Sequence, residues 1–270
     1  MISHKVLHGL NDLDSLGRQV TVSVVSHGQE AMLMHLLDDL ARHASKSVRR
    51  VVVTHNLSSD GLLWREGAAE YFYHQIYNKN PKGFGANHNS AFCHCDTEWF
   101  AVINPDIRFE SDVFKELIAQ AMPDDVALGP ALFDPERNKV APNRGFLTIF
   151  EIIERRFIKQ GPVENIVWLP GAFLLIRTEA FRRVGGFDER FFLYAEDFDL
   201  SARLKLAGGE LRFVSDVQVT HAAQRSSHVK WRYLRWHAVS LMRLWATPSF
   251  WKYRALLQTQ AARRADQRLR

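Results

Sequence analysis

Hydrophobic and polar positions alternate in blocks along the first half of the chain. Residues 20–25 form a β-branched run that predicts a buried first strand. Residues 29–43 place Met32, Leu33, Leu36, Leu37 and Leu40 at helical spacing. Three valines centre a second strand over 49–54, and a short third strand is expected near 71–76. A glycine-rich loop, Lys79 to Gly85, leads into a helix ending near Cys95. Residues 99–103 predict the next strand, closed by Pro105, and 112–121 the next helix. Strand and helix alternating through short connections predict an α/β fold, with parallel strands joined by helical crossovers on both faces.

The second half is less regular. Strands are expected at 126–133, 174–177 and 211–219, and helices at 148–157 and 200–206. The last of these helices is stopped by Gly208-Gly209. No linker or internal repeat breaks the pattern, so one continuous domain with a C-terminal helical extension is expected.

Charge changes this picture at the end of the chain. The net charge is +5, yet residues 225–270 carry +10, which leaves −5 for the rest. Aromatic and apolar residues (Trp231, Tyr233, Trp236, Leu244, Trp245, Phe250 and Trp251 among them) are interleaved with these cations. Such a tail suits a peripheral contact with an anionic membrane. A helical cover on the main domain, or a homo-oligomer contact, would leave a similar pattern. No recognised nucleic-acid motif accompanies the charge, so nucleic acid is not an expected partner. No apolar run approaches the roughly 20 residues of a membrane span. Residues 1–18 are polar and unlike a signal peptide, and Cys93 and Cys95 suit a reducing compartment, so a cytoplasmic location is expected.

Ligands of such sheets bind beyond the carboxyl ends of the strands. That places Ser26-His27-Gly28, His55-Asn56 and Asn104-Pro105-Asp106 around one crevice. A carboxylate at Asp106 could hold a hard divalent cation, although Asn, Pro and Asp are also ordinary turn formers. Gly83-Phe-Gly-Ala-Asn87 would let backbone approach a ligand before a helix N-terminus; it is neither a Walker loop nor a dinucleotide fingerprint. Glu196-Asp197 offers a carboxylate for proton transfer, against the alternative of acidic residues favoured in a first helical turn. Asp199 and Arg203 stand at the i,i+4 spacing of a helical ion pair. His221, at a strand end, could ligate a metal. Cys93-His94-Cys95 with His88 is too crowded for structural zinc.

These signals occur in one order: Val-Val-Ser-His, Asn-Leu-Ser-Ser-Asp-Gly, Asn-Pro-Lys-Gly-Phe-Gly-Ala-Asn-His-Asn, Ile-Asn-Pro-Asp, Trp-Leu-Pro-Gly-Ala-Phe, and Gly-Gly-Phe-Asp-Glu-Arg-Phe-Phe-Leu-Tyr-Ala-Glu-Asp-Phe-Asp-Leu. Over about residues 20–227 the chain resembles family 2 glycosyltransferases of the GT-A fold, in particular their rhamnosyltransferase-like branch. The resemblance implies a GT-A domain over 1–227, with a nucleotide-binding half at about 20–125 and an acceptor-side half at about 126–227. Residues 228–270 are left as the basic, aromatic extension. It implies inverting transfer from a nucleoside-diphosphate sugar, with dTDP-rhamnose suggested by the branch. The acceptor would be a hydroxyl of a glycan or lipid-linked molecule in cell-surface polysaccharide synthesis, reached on the inner face of the membrane. Mg²⁺ or Mn²⁺ is the implied cofactor, held by Asp106 and His221. Asp197 is the implied catalytic base, with Glu196 beside it. Ser26, His27, Asn56, Asp60, Gly83, Asn87 and Asn104 are implied around the nucleotide. Three positions depart from the family pattern. Asn104 removes one carboxylate from the metal motif, His55 stands where a carboxylate often precedes Asn56, and His27 stands where an aromatic is frequent. A nucleotidyltransferase on a similar sheet and a non-catalytic nucleotide- or glycan-binding module are the competing classes.

Overall fold

A computed structural model describes residues 17–57, 70–141, 145–148, 166–222 and 230–268 of the protein. Asp60 and residues 149–157 of the helix expected at 148–157 lie outside these residues.

The first half alternates as the periodicity predicts. β1 (Val20–Ser26) is followed by α1 (Glu30–His43), β2 (Val48–His55), β3 (Phe72–Tyr77), α2 (Phe84–Phe92), β4 (Trp99–Ile103), the short β5 (Ile107–Arg108) and α3 (Val113–Ala119). α1 buries Leu33, Leu36, Leu37 and Leu40, one stripe of a 3.6-residue period. Glu30 in its first turn and Arg42 and His43 in its last oppose the helix dipole. α3 begins where the Asp112 side chain accepts a hydrogen bond from the Lys115 amide at 3.1 Å.

The second half contributes β6 (Asp125–Asp134), β7 (Lys139–Val140), β8 (Phe173–Arg177), α4 (Thr178–Arg183), α5 (Glu196–Leu206), β9 (Glu210–His221), α6 (Lys230–Trp245) and α7 (Pro248–Arg268). One sheet runs through both halves in the order β3-β2-β1-β4-β8-β6-β9-β5, with β7 beside β6. β3, β2, β1 and β4 are parallel, so their carboxyl ends share one edge. β8 inserts antiparallel between β4 and β6, and β9 returns parallel to β6. The strand reversal at β4–β8 brings the amino end of β8 to the carboxyl edge of the first half.

Alternation along β4 shows the two covered faces. Trp99, Ala101 and Ile103 pack with Leu33, Leu37 and Phe114 of α1 and α3. Phe100 and Val102 pack with Phe181 of α4 and Leu200 and Leu204 of α5. Each fully buried side chain of this size contributes about 1.5–3 kcal/mol. A third cluster joins Phe146, Trp168, Phe191 and Phe198 to Leu244, Phe250 and Tyr253 of the last two helices. The helical extension is therefore in part a cover on the sheet domain. Trp251 and Met242 remain outside this cluster, 51% and 59% exposed.

Candidate active site

The carboxyl edge of β1, β2 and β3 carries a network of amides. Asn56, 3% exposed, accepts hydrogen bonds from the Lys82 amide (2.8 Å) and the Asn78 side chain (2.8 Å). It donates to the Lys82 carbonyl at 2.9 Å. Asn87 is fully buried, donates to the Gly83 carbonyl at 3.0 Å and accepts from Asn78 at 2.6 Å. Both asparagines thus shape the loop before α2. Their polar atoms are spent on the loop backbone and on Asn78. His27 is exposed, with Nδ1 3.1 Å from the Asn56 amide nitrogen, and desolvation holds its pKa below the usual histidine value. Ser26 is 1% exposed, and its hydroxyl accepts from the Gln29 amide. Gly28 turns the chain with φ +81°, a conformation that favours glycine.

The glycines of the Gly-Phe-Gly loop serve packing as well. A Cβ on Gly83 would lie 2.9 Å from the Phe192 backbone, and one on Gly85 2.5 Å from the Phe187 side chain. Sequence reasoning assigned these glycines to close approach by a ligand. The close approach in the structure is by the chain's own segment 187–192, and the Phe84 amide donates to the Phe192 carbonyl at 2.8 Å.

Sequence reasoning missed Gln75, Tyr77 and Asn78 at the end of β3. Tyr77, 54% exposed, stacks on the buried His55 ring at 4.7 Å, and Gln75 bonds both. The turns after strands one, two and four had been placed at the crevice; the same topological argument extends to the third. His88 is fully buried, bonded to Ser23 at 2.8 Å, with its pKa pushed down to about 3 by desolvation. It is a neutral core histidine. Among the described residues no group of three or more His, Cys, Asp or Glu is arranged to hold a metal.

Asp106 and His221 meet. β5 pairs with β9 so that Ile107 faces His221, and His221 Nε2 lies 3.4 Å from Asp106 Oδ2. Asp106 Oδ1 is buried and has no hydrogen-bond partner among the described residues. An unpaired buried carboxylate oxygen beside an imidazole nitrogen is a donor set that suits a divalent cation whose remaining positions are filled from outside the chain.

Asp197 is tied to the same turn. The Asn104 amide donates to the Ala172 carbonyl at 2.9 Å, and the adjoining Gly171 amide donates to Asp197 Oδ2 at 3.0 Å. The dipeptide Gly171-Ala172 therefore holds both the 104–106 turn and the start of α5. Glu196 is 5% exposed, and its Oε2 has no partner among the described residues. Burial, and then the neighbouring Asp197 charge, push its pKa up to about 8. Burial thus favours the protonated form of Glu196, while its neighbour Asp197 is half-buried. Asp199 has a structural role. It pairs with Arg203 at 2.7 Å and accepts from Ser249 of α7 at 3.2 Å.

The backbone leading into α5 is unusual. Tyr194 and Ala195 lie at φ 73° and 66°, two consecutive non-glycine residues in the left-handed region. Each costs about 1 kcal/mol or more and needs support. α6 provides it: the Ser240 hydroxyl donates to the Leu193 carbonyl at 2.8 Å, His237 stacks on Tyr194 at 4.8 Å, and Trp236 packs on Phe192 at 5.0 Å.

Comparisons with known proteins place the chain among relatives. Residues 99–264 match the family described as Glycosyl transferase family group 2. The chain is 28% identical over 245 residues to Rhamnosyltransferase WbbL of Escherichia coli (strain K12), covering 83% of this chain and 91% of that protein. It is 32% identical over 149 residues to an N-acetylglucosaminyl-diphospho-decaprenol L-rhamnosyltransferase of Mycobacterium tuberculosis, of which it spans about half (48%). The fold is shared with a mannosyltransferase from Pyrobaculum calidifontis solved with GDP-Man and Mn2+ (TM-score 0.62, 17% identity, 95% of this chain and 87% of that chain). It is also shared with S. aureus TarS in complex with UDP-GlcNAc (TM-score 0.58, 16% identity, 79% and 61%).

Proposed function

The chain belongs to glycosyl transferase family group 2 and is a glycosyltransferase, and from that premise we propose inverting transfer of a sugar from a nucleoside-diphosphate donor to an acceptor hydroxyl. The observation that carries this reading is the Gly171-Ala172 dipeptide, which hydrogen-bonds the Asn104–Asp106 turn on one side and Asp197 on the other. A diphosphate group beside Asp106 and a hydroxyl beside Asp197 would then sit on opposite sides of one anomeric carbon.

The roles follow from access and protonation. Asp197 takes the proton of the attacking hydroxyl, and the protonated Glu196 keeps a second negative charge away from it. The nucleoside is received at the carboxyl ends of β1, β2 and β3, where His27 and Tyr77 present exposed rings and Asn56 and Asn87 fix the loop before α2. Asp106 and His221 are the residues to hold Mg²⁺ or Mn²⁺; bound there, the cation neutralises the departing diphosphate. A histidine ligand favours Mn²⁺ of the two. With Asn104 in place of a carboxylate, the chain supplies few ligands, so donor and cation bind together better than either alone. The rhamnosyltransferase relatives support rhamnose as the sugar, and a glycan or lipid-linked molecule of cell-surface polysaccharide synthesis as the acceptor.

The test is a panel of nucleotide sugars, dTDP-rhamnose first, with and without Mn²⁺. The expected products are a nucleoside diphosphate and a glycoside of inverted anomeric configuration by NMR. Pyrophosphate release would assign a nucleotidyltransferase, retained configuration would overturn the single-displacement chemistry, and nucleotide binding without turnover on any donor would leave a binding module.

A further inference from the structure

Helix α6 has two dissimilar faces. Its inward face buries Ser240 and Leu244 and supports the loop before Asp197. Its outward face presents Arg235, Ala238, Val239, Met242 and Ala246, all exposed and recurring at three- and four-residue spacing. Val239 is 38% and Met242 59% exposed. Trp251 continues the surface: its indole nitrogen donates to the Trp245 carbonyl at the end of α6, and the Arg254 guanidinium lies over its ring at 5.8 Å. A solvent-facing helix surface is ordinarily polar; this one is apolar and flanked by cations.

We propose that the outward face of α6, together with Trp251, seats on an anionic membrane surface. Charge selects that occupant. Residues 225–270 hold one acidic residue, Asp266, and a net +10, while the rest of the chain carries −5. An anionic bilayer attracts the tail and repels the remainder, which fixes the orientation in which the molecule lands. Exposed methionine, valine and tryptophan then enter the headgroup boundary, as an interfacial amphipathic helix does. No described helix is long and apolar enough to cross a membrane, so the contact lies along the surface. Because the other face of α6 touches residues 192–194, this orientation puts the loop before Asp197 about 10 Å, one helix diameter, behind the seated face, on the side from which a lipid-linked acceptor would arrive. That purpose rests on the transfer proposed above; the docking does not.

The test uses the full chain and vesicles that contain no substrate, so failure here and failure of the transfer reading are distinguishable. The protein is expected to pellet with phosphatidylglycerol-containing vesicles at low salt, to be released as salt rises toward about 0.5 M, and to ignore phosphatidylcholine vesicles. A Val239→Asp, Met242→Asp double variant alters exposed positions only. It is expected to keep its melting temperature and donor binding while losing roughly tenfold or more in vesicle affinity. Absence of pelleting at low salt, equal binding to both lipids, or undiminished binding by the double variant would overturn the proposal. So would a dimer in sedimentation velocity that the double variant dissolves, since a second copy would then own the face.

Discussion

The two sides of the crevice are built in opposite ways. On the proposed donor side, Asn56, Asn78 and Asn87 satisfy one another and the loop carbonyls, over parallel strands whose residues are close in sequence. On the proposed acceptor side, residues 191–197 hold two left-handed residues and a buried carboxyl with an unpaired oxygen. Their support comes from Ser240, His237 and Phe250, more than forty residues later in the chain. The asparagine network closes within its own segment, and the glycines of its loop reach out to residues 187–192. The acceptor side is held in a costly geometry by distant contacts, which is how reactive groups are commonly kept in place.

Substitutions can break this contrast. Asp197→Asn is expected to lower transfer roughly a hundred- to ten-thousandfold while leaving donor affinity by calorimetry near wild type. A parallel loss of donor binding would merge the two sides. Asp106→Ala is expected to remove roughly tenfold or more of the Mn²⁺-dependent donor affinity, and to leave the metal-free affinity unchanged. Glu196→Gln sharpens the comparison through pH. The native carboxyl holds its proton up to about pH 8, whereas the unfolded one releases it near 4.5. Over that window the unfolded chain binds fewer protons, so wild-type stability falls as pH rises. The Gln variant lacks this fall and is expected to exceed wild type by a few kcal/mol, roughly, at pH 8 and to match it below pH 4.5. Parallel melting curves would mean that Glu196 ionises normally. Asn87→Ala is expected to cost roughly 1–3 kcal/mol in denaturant unfolding, by stranding buried loop carbonyls and the Asn78 amide. Ser240→Ala is the mildest. It removes about 1 kcal/mol of support from the Leu193 carbonyl, lowering kcat severalfold with an unchanged KM for the donor.

The same contrast explains what the sequence disclosed. β1 and β4 are short β-branched or apolar runs buried on both faces, and their periodicity placed them within a residue of their ends. α5 begins at Glu196, four residues before the helix expected at 200–206; the acidic first turn, weighed only as an alternative to proton transfer, marks its start. The purpose of Gly83 and Gly85 was hidden because their neighbours, Phe192 and Phe187, lie about a hundred residues away. Nor do tyrosine and alanine announce a left-handed backbone as glycine would, so the strain at Tyr194-Ala195 had no local mark. The nearness of Asp106 to His221 depends on a two-residue pairing of β5 with β9, too short for pattern reasoning to find. Their partnership came from the family resemblance alone. Tyr77 was overlooked because the third strand, half-exposed throughout, carries a weak signal.

The placement of Phe250 and Tyr253 in the cluster behind Phe198 has a consequence in time. Synthesis delivers β1 to β4 first, and the Asn56–Asn78–Asn87 network lies wholly within that stretch. The aromatic backing of α5 follows more than a hundred residues after those strands. The amide network around Asn78 can therefore form on a nascent chain before residues 191–197 gain their aromatic backing.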